Sequence, residues 1–148
     1  MAATDGFSET SEAVQFHLSI MQAVIQRMSG NSASCKAWCI TLVAAIFVVV
    51  SDKGRPQYTL IAVVPTLLFF VLDSYYLALE RSFRNTYEDF VNRLHEGSIV
   101  GRDLYYVASP KHRLKGLLSA AVTFSVALFY ITVLIMIGIV RAIAIAAP

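Results

Sequence analysis

Asp73, Glu80, Arg84 and Tyr87 follow one another at intervals of seven, four and three residues, so on a helix all four fall on one face. Such a stripe does ionic rather than covalent chemistry: carboxylates and a guanidinium in a low-dielectric setting hold, exchange or pass charge. Asp73 carries most weight because it lies in the apolar run from Tyr58 to Leu79, which at ~1.5 Å per residue reaches ~33 Å, about the thickness of a hydrocarbon core. The run continues into the charged segment from Glu80 to Glu96 without a glycine or further proline. One long helix is expected, apolar in its first part and polar in its second.

Lys36 is the partner that chemistry asks for. The segment from Ser51 to Gln57 holds Asp52, Lys53, Gly54, Arg55 and Pro56 and is expected to turn between two antiparallel spans, 32–51 and 58–79. Counted from that turn, Lys36 and Asp73 come out at the same depth, ~22 to 24 Å away. An acid and a base at one level inside a membrane are expected to pair, since each alone costs several kcal/mol there; the alternative has Lys36 reaching the headgroups while Asp73 meets a tyrosine or serine. Trp38 then serves as an interfacial anchor.

A second constellation is basic. Lys111, His112, Arg113 and Lys115 precede the third apolar run, and Arg81 and Arg84 follow the second, so packed spans bring them to one level, where Arg102, Tyr105 and Tyr106 from the loop can close over them. Cations interleaved with aromatics suit phosphates whose bases stack, as in single-stranded nucleic acid. The plainer reading is a set of topology determinants and lipid-headgroup partners.

A content of 57% hydrophobic and 15% charged residues over 148 positions, with a mean hydropathy of +0.62, excludes a soluble domain of ordinary composition. The expected fold is an all-α membrane protein with three spans. A tail, 1–10, leads into an amphipathic helix, 11–30, in which Val14, His17, Leu18, Met21, Val24, Ile25 and Met28 recur at helical spacing. Gly30 to Ser34 bends the chain there or forms the close-contact surface of one continuous helix. The helix continuing the second span, 80–96, packs on 11–30, and Pro65 can kink that span. A basic loop, 97–115, with a helix start at Ser109 and Pro110, leads into the third span, 116–141, and a tail, 142–148. In the third span Ser119 and Thr123 share a face and could line water or pack. Nine of the twelve Lys and Arg residues lie in 1–36 and 80–115, which puts the N-terminus in the cytoplasm and the C-terminus in the periplasm. The first thirty residues open with acids and hold no compact apolar core, so no cleavable signal peptide is expected.

No metal-ligand cluster, phosphate-cradling glycine loop or nucleophile with a positioned base is visible, so neither an enzyme nor a cofactor nor a metal site is expected. Cys35 and Cys39, four apart, read as buried small hydrophobes.

The run Arg27, Met28, Asn31, Ser32, Cys35, Lys36, Trp38 and the run Leu72, Asp73, Tyr75, Tyr76, Leu77, Leu79, Glu80, Arg81, Phe83, Arg84, Tyr87 resemble small bacterial membrane proteins encoded beside nucleotidyltransferases, specifically the membrane effectors of the Hailong antiphage defence system. The resemblance implies a homo-oligomeric inner-membrane channel whose electropositive cytosolic pocket holds a DNA oligomer made by the partner enzyme. Bound oligomer would keep the channel quiet, and its loss would open it. On charge and position, the expected ligand-binding residues are Arg81, Arg84, Arg102, Tyr105, Lys111, His112, Arg113 and Lys115, and the expected pore or gate residues are Lys36, Asp73, Glu80, Ser119 and Thr123. The expected assembly is a homo-oligomer, read as a tetramer. The alternatives are a non-conducting adaptor that recruits a cytosolic partner and a sensor of anionic lipid.

Overall fold

The computed structural model describes residues 7–53, 55–107 and 114–146; the first six residues, the expected helix start at Ser109 and Pro110, and the basic run Lys111, His112 and Arg113 lie outside them. Among the described residues the chain forms four α-helices, α1 (Glu12–Lys53), α2 (Val63–His95), α3 (Leu114–Ala121) and α4 (Phe124–Ala146), with short 3₁₀ segments at Pro56–Ala62 and Gly101–Asp103 and no strand. Three of the helices are long and apolar enough to cross a membrane.

The expected amphipathic helix and first span are one unbroken helix of 42 residues, ~63 Å long. The reason is a single buried stripe. Val14, His17, Met21, Met28, Ser32, Cys35, Cys39, Val43 and Val50 are all covered and keep steps of three, four or seven through the small-residue stretch. Gly30 lies off that stripe with open space around it. Its helix penalty, ~1 kcal/mol, is outweighed by packing on both sides of it.

The second span begins as a 3₁₀ helix, Pro56–Ala62, and becomes α-helical only at Val63. Pro65 is therefore the third residue of α2 and not a mid-span kink. Lacking an N–H and crowding the carbonyl four residues back, it tightens the winding upstream, where the first turn of α2 would have left its donors unpaired anyway. From there α2 runs unbroken for 33 residues through Asp73, Glu80 and Arg84. It ends where Gly97 takes φ 67 and the Gly97 and Ser98 amides close back on the Leu94 and Arg93 carbonyls, a Schellman stop.

The third span departs from the single helix expected over 116–141. α3 stops at Ala121 and α4 starts at Phe124. Thr123 turns its amide to the Ala120 carbonyl and its hydroxyl to the Ser119 carbonyl, so the bonds that would carry the helix through are taken locally. α4 rests on the other helices through the buried residues Val126, Tyr130, Val133 and Ile137, with Phe129 packed beside them. Beside it an apolar groove of about 630 Å³ opens between α1 and α4.

Two cores result. One joins the spans through Cys39, Val43, Ala62 and the buried stripe of α4. The other lies beyond them, where Val14 and Met21 of α1 meet Phe90 and Leu94 of α2 and the loop residues Ile99 and Leu104.

Candidate functional site

Within their apolar stretches, α1 and α2 bring the base Lys36 and the acid Asp73 to the same level. The Lys36 ammonium stands 2.6 Å from Asp73 Oδ2, within a single chain. Asp73 is 0% exposed and Lys36 retains 22%, so the carboxylate is sealed while the lysine stem reaches out of the seam. Ser32, one turn before Lys36, completes the group: its hydroxyl donates to Asp73 Oδ1 and accepts from the Lys36 ammonium at 3.3 Å. Oδ2 meets the ammonium off the line of an ideal hydrogen bond and has no other partner among the described residues.

The surroundings are apolar or sparsely polar. Cys35 and Cys39 are covered, free thiols on the same stripe of α1. Ser74 and Thr66 turn their hydroxyls back to the Phe70 and Ala62 carbonyls and so offer nothing to the pair. Tyr130 of α4 packs its ring edge-on to Phe70 at 5.4 Å, and its buried hydroxyl makes no hydrogen bond of good geometry among the described residues. An ion pair of this kind fixes the register of two helices, and its separation exposes a carboxylate to whatever replaces the ammonium.

No family model matches the chain, and no curated protein or solved structure is similar to it.

The basic residues divide into two groups. Arg81 donates to Thr123 Oγ1 at 2.9 Å, bridging α2 to the break between α3 and α4. Arg84, one turn on, pairs with Glu80 at 2.8 Å and also borders a small cleft with Gln22, Gln26 and Tyr87. Lys115 is exposed at the start of α3. These three lie toward the spans. Arg102 and Tyr105 belong to the far end of the outer layer: Tyr105 sits on His17 of α1, whose ring meets Phe90, nine residues and ~13 Å along α2 from Arg81. Among the described residues Tyr105 is thus held against α1 and not over Arg81 and Arg84. Thr123 stands one turn after Ser119, just past the end of α3. Its hydroxyl is spent on the helix break, and Ser119 is an exposed residue of the short α3.

Sequence reasoning passed over Ser32, Tyr130 and His17. Ser32 was legible in principle, standing four residues before a lysine at the edge of an apolar run and so on its face. Tyr130 carried the signal of a hydroxyl within an otherwise uncharged span. His17 gave none, for it occupies a hydrophobic position in the periodicity of α1.

Proposed function

We propose that this protein is a homo-oligomeric membrane channel, gated by a nucleic-acid ligand held on the cationic surface at the cytosolic end of its spans. The observation that carries the reading is the Lys36–Asp73 ion pair, set deep in the spans on the same unbroken helix that presents Arg81 and Arg84. In the closed state the ammonium of α1 occupies the carboxylate of α2 and locks the two helices in register. A polyanion on Arg81 and Arg84 competes with Glu80 and with the Thr123 hydroxyl for the two guanidiniums, and so acts on the packing of α2 against α1 and α4. The ligand biases the gate only as far as it prefers one packing to the other. Three spans are too few to enclose an aqueous path, so conduction takes several copies; the lipid-facing sides of α4 and the groove beside it are where a second copy would lie.

The resemblance of the sequence to Hailong effectors supplies the setting: the bacterial inner membrane, an N-terminus in the cytoplasm and a C-terminus in the periplasm, a nucleotidyltransferase partner and a role in antiphage defence. The test is ion flux from proteoliposomes with and without single-stranded DNA oligonucleotides. Flux that changes with oligonucleotide is expected, and the pair Arg84→Glu and Arg113→Glu should abolish oligonucleotide binding while leaving insertion intact. A protein that passes no ions under either condition removes the reading. It would leave the adaptor, which the exposed aromatic group Phe16, Tyr105 and Tyr106 in the outer layer favours.

A further inference from the structure

His17 is used by nothing in the channel reading, yet among the described residues it is the largest fully covered side chain, 1% exposed. It projects from α1 into the outer core, with its ring 4.5 Å from that of Phe90. Its Nδ1 accepts the backbone N–H of Tyr105 at 3.1 Å, which puts the proton of the neutral ring on Nε2. Tyr105 has φ 64, the one non-glycine residue among those described in the left-handed region. A side chain is strained there, and the conformation persists only where its surroundings hold it. The bond to His17 is the tie that does so, and it turns the Tyr105 ring out against Phe16, 5.9 Å away.

We infer that His17 is a proton-operated latch on the loop 98–107, closed while its imidazole is neutral and released when Nδ1 takes up a proton. Protonation sets one N–H against another where an acceptor had been, and puts a positive charge in an apolar core. Tyr105 then has no partner for its amide and no reason to remain left-handed. Its relaxation to extended backbone carries Arg102, Tyr105 and Tyr106 away from α1. Water reaches the latch through a cavity of about 580 Å³ bordered by His17, Asp89, Phe90, Arg93, Glu96 and Asp103.

The charges around the ring decide where the latch works. From α2 they are Asp89, Arg93 and Glu96, and from the loop Asp103, on which Arg102 acts in turn; Glu9, in the segment before α1, is paired with His95 at 3.1 Å. Arg93 pairs with Asp103 at 2.5 Å, so that acid is partly neutralised. Burial lowers the proton affinity of the imidazole from its ordinary 6.5, and the Asp103 charge opposes the shift. The unfolded or released chain therefore takes the proton first. The latch is fully closed above pH 6.5 and weakens as pH falls below that value.

The test is amide hydrogen exchange of the full chain in lipid nanodiscs at pH 8 and pH 5, corrected for intrinsic exchange rates and read on peptides from the loop 98–107. Protection there should be lower at pH 5 than at pH 8 in the wild-type protein while α2 between Val63 and Phe90 stays protected. In His17→Asn the amide oxygen stands where Nδ1 accepts and cannot titrate, so protection should be the same at both pH values. Equal protection in the wild type, or the same loss in His17→Asn, overturns the latch. Should His17→Asn not fold, NMR of selectively labelled wild-type protein serves: the His17 imidazole and the Tyr105 amide must change over one pH range, and a ring that titrates while the amide does not overturns it equally.

Discussion

Removing either member of the Lys36–Asp73 pair should destabilise the protein, but not equally. Lys36→Met leaves a wholly covered carboxylate with only the Ser32 hydroxyl beside it, and breaking a buried pair in this way costs about 3–5 kcal/mol. Asp73→Asn keeps an acceptor for Ser32 and frees a lysine that is 22% exposed and can extend toward the headgroups, so its cost should be about 1–2 kcal/mol. The double variant Lys36→Met with Asp73→Leu removes both charges and should recover to within about 1–2 kcal/mol of wild type. The assay is reversible unfolding in mixed micelles with increasing SDS, followed by helical circular dichroism and by Trp38, the single tryptophan, which lies two residues past Lys36 and is 61% exposed. A Lys36→Met cost below about 0.5 kcal/mol, or no greater than that of Asp73→Asn, would mean that the carboxylate is not sealed and that the pair does not fix the helices.

Gly97→Ala places a Cβ at φ 67 and should cost about 1–2 kcal/mol by the same unfolding titration, although nothing stands within 4 Å of the added atom. Arg81→Ala and Thr123→Val each remove one interhelical hydrogen bond, an expected loss of about 0.5–1.5 kcal/mol, and the double variant should be no worse than the worse single because both delete the same contact. Asp103 is held below its ordinary 3.8 first by the Val100 amide and then by Arg93, so its contribution to loop order is complete above that pH and is lost as pH falls through the lowered value. Loop exchange in His17→Asn should therefore rise only in that more acid range, and Asp103→Asn should remove the rise.

The spans were legible because length and hydropathy are local properties, and the Lys36–Asp73 contact was legible because a short turn fixes the relative depth of two helices. Less local features were hidden. Whether Gly30 to Ser34 bends depended on the buried stripe on either side, which becomes a stripe only once α2 is packed against it. The break at Thr123 lies in a run that is apolar throughout, and a threonine hydroxyl bonds back to a helical carbonyl in straight helices as well as in broken ones. The resting place of Tyr105 was hidden because charge gave no reason for it to bind α1. The reason is the acceptor nitrogen of a histidine that periodicity marks as core.

If α2 carries ligand binding at Arg81 and Arg84 to Asp73, as proposed, the effect is read from ion flux in proteoliposomes containing Leu79→Pro, with Leu79→Ala as control. Proline there removes a helical hydrogen bond and kinks the rod between Asp73 and Arg81. Oligonucleotide binding should survive in both variants, and the flux response to oligonucleotide should be lost in Leu79→Pro and kept in Leu79→Ala. An undiminished response in Leu79→Pro would contradict the account.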